Sequence, residues 1–89
     1  MKKSKAHILL VEDEEILGDG ILFNLTKNNY SVDWVKDGKS ALKTFSETKH
    51  DLILLDIMIP YIDGFEVARR IRKTSPVMPI LMLTARTAV

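Results

Sequence analysis

Two apolar segments of the chain end directly at acidic residues. Residues 8–11 are followed by Glu12 and Asp13, and residues 52–55 are followed by Asp56. If both segments are buried parallel strands, their carboxyl ends lie at one edge of a sheet and bring the acids together. Crowded carboxylates repel each other unless a cation lies between them. Mg²⁺ suits such a site, because it binds a few carboxylate oxygens together with water and phosphate oxygens. The pattern therefore predicts phosphate chemistry.

The spacing of apolar residues predicts the elements that position these acids. Apolar runs without alternation, or rich in β-branched and aromatic residues, predict strands at residues 7–11, 32–35, 52–55 and 80–83. Apolar residues at helical spacing predict a helix over residues 14–28, a second after the cap Asp37, and a third that includes Phe65, Val67, Ala68 and Ile71. The order βαβαβαβ implies an α/β fold with a mostly parallel sheet and right-handed crossovers.

In such a sheet, ligands bind beyond the carboxyl ends of the strands, where Asp13, Asp56 and Thr84 are all expected. The loop after Asp56 contains Pro60, which cannot donate to a strand ladder, and Gly64, for which we expect the positive φ of a tight turn.

Other polar or aromatic residues are expected to have ordinary structural roles. We expect His7 to be a partly exposed strand residue, His50 to face solvent at a turn, and Trp34 to pack on or near an edge strand. Gly18 and Gly20 should each weaken the first helix by roughly 1 kcal/mol relative to alanine. The basic row is expected to be a solvated helix face rather than a nucleic-acid contact; it comprises Arg69, Arg70, Arg72 and Lys73.

Composition restricts the possible classes of protein. A chain of 89 residues with 46% hydrophobic and 28% charged residues predicts one folded domain. A net charge of +1 gives no general attraction to nucleic acid or to membranes. The absence of cysteine excludes disulfides and thiolate metal sites and fits a cytoplasmic location, and no apolar run approaches the ~20 residues of a membrane span.

Three motifs together resemble a known family. They are the run Leu9-Leu10-Val11-Glu12-Asp13-Glu14, Asp56 with Pro60 four residues and Gly64 eight residues later, and Leu83-Thr84-Ala85. The chain resembles the receiver domain of two-component response regulators along essentially its whole length. Residues 37–42 and 83–86 are most similar to receivers that precede winged-helix DNA-binding domains.

The resemblance implies a fold and a set of site residues. The fold is a flavodoxin-like doubly wound parallel sheet of order 2-1-3-4, truncated after the fourth strand, with residues 1–89 as a partial receiver domain. Asp56 would accept a phosphoryl group from a sensor histidine kinase, with no enzymatic activity beyond its own phosphorylation and dephosphorylation. Asp13 and Asp56 would bind Mg²⁺ directly, Glu12 directly or through water, and Met58 through its backbone carbonyl. Thr84 would hydrogen-bond a phosphoryl oxygen.

The chain also departs from the family pattern. Complete receivers continue into a fifth strand that carries a lysine, whereas this sequence ends at Val89. We therefore expect impaired phosphorylation. We also expect one apolar face of the central strands and the edge of strand 80–83 to be uncovered, and a second copy to cover that face in a dimer or larger assembly. The alternative is a structural or oligomerising receiver fragment that acts independently of phosphate. A phosphohydrolase of the haloacid-dehalogenase type needs a second acid two residues after the nucleophile, where Met58 stands.

Overall fold

The described part of the chain forms a four-stranded parallel sheet with three helices. The computed structural model describes residues 5–83, so the predictions about Thr84 and the residues after it lie outside this range. The elements are β1 (His7–Val11), α1 (Glu15–Lys27), β2 (Ser31–Val35), α2 (Gly38–Glu47), β3 (Leu52–Asp56), α3 (Gly64–Thr74) and β4 (Ile80–Leu83). The sheet order β2-β1-β3-β4 and the parallel pairing confirm the predicted α/β fold.

The register of the sheet brings the strand ends to one level. Val11 of β1 lies opposite Val35 of β2 and Leu55 of β3, and Asp56 lies opposite Leu83 of β4. Because β1 and β3 are in step, the residues that follow Val11 and Leu55 emerge side by side at the carboxyl edge.

The two central strands are covered on both faces, which explains why their sequences do not alternate. One face packs beneath α2 and α3; its buried strand residues are Leu9, Val11, Ile53 and Leu55. The other face packs against Ile21 and Leu25 of α1; its buried strand residues are Ile8, Leu10 and Leu54. Within residues 5–83, no helix is long and apolar enough to cross a membrane.

Acidic caps begin all three helices. The side chains of Glu14, Asp37 and Asp63 accept hydrogen bonds from the backbone N–H groups of Leu17, Ser40 and Glu66. Asp37 was the predicted cap, and α1 ends at the predicted Asn pair, where Asn29 adopts a φ of 71°. Such caps each contribute about 1 kcal/mol to helix stability.

One exposure prediction was wrong, and two apolar residues of predicted elements are exposed. His50 is buried rather than solvent-facing, at 6% exposure. Phe65 lies on the outer side of α3 with 64% exposure, and Leu81 in β4 is 58% exposed. Periodicity identified the elements correctly, but the side chains of Phe65 and Leu81 are not covered by the described elements.

Candidate functional site

The structure brings three acids from two neighbouring strands together. Glu12 and Asp13 follow β1 and Asp56 ends β3, and one carboxylate oxygen of each lies within 4.8 Å of the other two. Glu12 and Asp56 are 0% and 1% exposed, whereas Asp13 is partly exposed. The site therefore consists of two buried carboxylates with a third at its solvent side.

Backbone hydrogen bonds orient the two buried carboxylates. The Glu14 N–H donates to Oε2 of Glu12 at 3.0 Å. The Met58 N–H donates to Oδ1 of Asp56 at 3.2 Å. Each carboxylate thus accepts a hydrogen bond from the backbone N–H two residues later, and this bond orients it at the sheet edge.

Trp34 is connected to this site, a contact that the sequence interpretation missed. Its indole N–H donates to the backbone carbonyl of Glu12 at 2.8 Å, while the Glu12 N–H donates to the carbonyl of Val35 at 3.0 Å. A mostly buried indole N–H needs a hydrogen-bond acceptor. The sequence could therefore indicate that Trp34 has such an acceptor, but not that the acceptor is the Glu12 carbonyl.

The loop after Asp56 is shaped by close packing at Gly64. Gly64 does not have the predicted positive φ; Tyr61 does, at 70°. An added Cβ at Gly64 would lie 2.4 Å from the carbonyl oxygen of Asp56. The Gly64 N–H also donates to the carbonyl of Ile57 at 2.8 Å. Glycine is therefore needed here because the start of α3 lies directly against the backbone of the site.

Electrostatics favours a cation at this edge. Two like charges at 4.8 Å, the upper limit of the separations between these oxygens, repel by roughly 3 to 4 kcal/mol at an effective dielectric constant of about 20. All three side chains offer oxygen ligands, which hard cations such as Mg²⁺ prefer. Met58, expected to contribute its backbone carbonyl, holds Asp56 through its N–H, and its side chain is 55% exposed.

Three of the four residues in the basic row on α3 make local contacts. Arg69 and Arg70 both pair with Glu66, and Arg72 donates to the backbone carbonyls of Pro76 and Met78. The hydrogen bonds from Arg69 and then Arg70 lower the pKa of Glu66 to about 2. The same Glu66 contact raises the pKa of Arg69. These residues support α3 and the segment that leads to β4.

The fold and the site define a doubly wound α/β domain with an acidic carboxyl edge suited to Mg²⁺ and phosphoryl groups. The family model for the response regulator receiver domain matches residues 8–89, and the chain belongs to this family. Receiver domains bind Mg²⁺ at an acidic pocket and interact with histidine kinases.

Sequence relatives include two transcriptional regulatory proteins. QseB of Haemophilus influenzae is 39% identical over 79 residues, which cover 89% of this chain and 36% of that protein. PhoP of Bacillus subtilis, the alkaline phosphatase synthesis regulator, is 44% identical over 79 residues, covering 89% of this chain and 33% of that protein. The chain thus spans about a third of the length of these relatives.

Solved receiver structures have the same architecture. The non-phosphorylated HemR receiver domain of Leptospira biflexa has a TM-score of 0.86 and 36% identity, covering 96% of this chain and 68% of that one. Response regulator TrrA of Thermotoga maritima, in complex with Mg²⁺ and BeF, has a TM-score of 0.85 and 38% identity, covering 91% of this chain and 70% of that one.

Proposed function

We propose that this receiver domain is a phosphoacceptor in which Asp56 takes a phosphoryl group from a sensor histidine kinase. The observation that supports this proposal is the convergence of Glu12, Asp13 and Asp56 at the carboxyl edge of the sheet. The similarity to a receiver that was solved in complex with Mg²⁺ and BeF adds support.

The proposed reaction needs little from the protein beyond alignment. A carboxylate is already ionised at neutral pH and attacks without a general base. An Asp56 oxygen forms a bond to phosphorus while the P–N bond of the phosphohistidine breaks and the imidazole leaves. The hydrogen bond from the Met58 N–H to Oδ1 holds the Asp56 carboxylate in one orientation for this attack.

The proposed metal ligands are the residues that converge at this edge. Asp13 and Asp56 would hold Mg²⁺ directly, Glu12 directly or through water, and Met58 through its backbone carbonyl. A bound Mg²⁺ would neutralise charge on the phosphoryl oxygens. The phosphoryl contact of Thr84 remains part of the proposal. The domain would act as a stoichiometric acceptor rather than an enzyme, with no direct contact to DNA, in the cytoplasm.

The phosphoryl transfer can be tested with acetyl phosphate as a small-molecule donor. We expect the intact mass to increase by one phosphoryl group when Mg²⁺ is present and to remain unchanged when EDTA is added. D56N should abolish the adduct. D19N is the matched control, because Asp19 is exposed on α1 and is not one of the three clustered acids. An adduct that forms without Mg²⁺, or that survives in D56N, would disprove the assignment.

We further propose that the 89-residue polypeptide pairs with a second copy through β4. Within residues 5–83, β4 hydrogen-bonds only with β3, and Leu81 is 58% exposed. An open strand edge with exposed apolar side chains favours strand addition. Light scattering at micromolar concentration should give a dimer or larger mass, and L81K should lower it. A monomeric wild type would overturn this proposal.

The family relationship does not favour the alternative function, a structural or oligomerising fragment that acts independently of phosphate.

A further inference from the structure

A second cluster of ligand-type residues lies at the opposite end of the sheet from the acids. His7 begins β1, Asp33 lies within the edge strand β2, and His50 precedes β3. Oδ2 of Asp33 lies 2.9 Å from Nε2 of His7 and 2.8 Å from Nε2 of His50. The ligand atoms of these three residues all lie within 4.8 Å of one another.

The surroundings hold the ring of His50 and the backbone of His7 in place. The His50 side chain is 0% exposed, and its ring is stacked on Phe45 with 6.4 Å between the centroids. The His7 backbone is paired with Asp51: its N–H donates to Oδ2 at 2.8 Å, and its carbonyl accepts from the Asp51 N–H at 2.7 Å. The two imidazoles are adjacent, with centroids 4.6 Å apart.

The ligand chemistry of this cluster differs from that of the acidic edge. Two imidazoles and one carboxylate suit Zn²⁺ and related transition metals, with a fourth position left for water. Zinc ligands at about 2.0 to 2.1 Å from a tetrahedral ion stand roughly 3.3 Å apart. The present contacts of 2.8 and 2.9 Å would need to open by only a few tenths of an ångström.

Solvent can reach this cluster from one side. The side chains of His7 and Asp33 are 30% and 37% exposed, whereas that of His50 is fully buried. A metal ion can therefore arrive from the side of His7 and Asp33, while His50 provides a fixed inner ligand. Such a mixture of exposed and buried ligands is compatible with an open fourth position.

We propose that His7, Asp33 and His50 form a binding site for a divalent transition metal of the zinc type. The bound ion would join the start of β1, the edge strand β2 and the segment between α2 and β3. From His7 to Glu12 the chain advances about 16 Å along β1, so this site and the acidic edge are separate. The proposal is independent of the proposed phosphoacceptor function.

Wild-type protein offers a direct test, because His7 and His50 are the two histidines of the chain. With Mg²⁺ in excess, Zn²⁺ is titrated while the ring signals of ¹⁵N-labelled histidine are followed by NMR. We expect both rings to respond together and to saturate at one equivalent. The proposal would be overturned if the ring signals did not change, or if the two rings changed at different Zn²⁺ concentrations. This result would not depend on any substitution.

Substitutions locate the site further through the visible absorption of bound Co²⁺. H7Q and D33N should weaken Co²⁺ binding by at least about tenfold. E47Q is the matched control, because Glu47 pairs with Lys43 on the exposed side of α2. Loss of the absorption in E47Q, or its persistence in both H7Q and D33N, would place the ion elsewhere and refute the assignment.

Discussion

Gly18→Ala and Gly20→Ala lie two residues apart in α1, yet the structure predicts opposite effects on stability. In a helix interior, alanine is favoured over glycine by about 1 kcal/mol at either position. An ideal Cβ at Gly20 meets nothing within 4 Å. An ideal Cβ at Gly18 would lie 2.1 Å from Cζ2 and 2.6 Å from Cε2 of Trp34.

The cost at Gly18 follows from what restrains Trp34. Carbon atoms in contact need about 3.5 to 4.0 Å, so the indole would have to move by more than 1 Å. That movement would strain or break the 2.8 Å hydrogen bond from the indole to the Glu12 carbonyl. Overpacking costs about 1 to 3 kcal/mol and a lost hydrogen bond about 1 kcal/mol. After subtraction of the helix gain, G18A should be destabilised by about 2 kcal/mol.

Urea unfolding followed by far-UV circular dichroism measures both changes. We expect the free energy of unfolding of G20A to rise by about 1 kcal/mol while that of G18A falls, with similar m-values for both. G20A serves as the control for helix propensity, because it lacks the contact with Trp34. If G18A were as stable as G20A, that result would contradict the close contact between Gly18 and Trp34.

Two further predictions concern the loop after Asp56 and α3. G64A should lower the free energy of unfolding by about 2 kcal/mol or more, because its Cβ would meet the backbone of Asp56 and Ile57, which cannot rotate away as a side chain could. Urea unfolding measures this change. An unchanged free energy of unfolding would contradict the close approach of Gly64 to that backbone. The pKa of Glu66 is lowered from 4.5 to about 2, so its contribution to stability is complete above pH 4.5 and is lost as the pH falls towards 2. The stability difference between wild type and E66Q, measured by urea unfolding, should therefore shrink over that interval; a constant difference would count against the Arg69 and Arg70 contacts.

The elements and the acidic edge could be predicted because their signals are local. Continuous apolar runs identified the buried strands, and the acid that directly follows a run must lie at the strand end. The helix cap at Asp37 is equally local, since its side chain bonds to the N–H of Ser40, three residues away. Parallel pairing in register then brings Asp13 and Asp56 to one edge.

The features that could not be predicted depend on contacts between residues distant in sequence. The burial of His50 follows from Phe45 and from Asp33, which lies 17 residues earlier in the edge strand. The need for glycine at position 64 comes from the Asp56 carbonyl rather than from the φ angle that a turn would suggest. Periodicity gives no information about either contact, because both require the assembled sheet.

The proposed phosphoacceptor site requires Glu12, Asp13 and Asp56 to bind one divalent cation. Trp34 is the only tryptophan in the chain and donates to the Glu12 carbonyl, so its fluorescence can report Mg²⁺ binding. Titration should give a saturable change with one site, weakened at least about tenfold in D13N and D56N and unchanged in D19N. If the fluorescence of neither the wild type nor D19N responded to Mg²⁺, or if the response persisted in D13N and D56N, these three acids would not form the cation site.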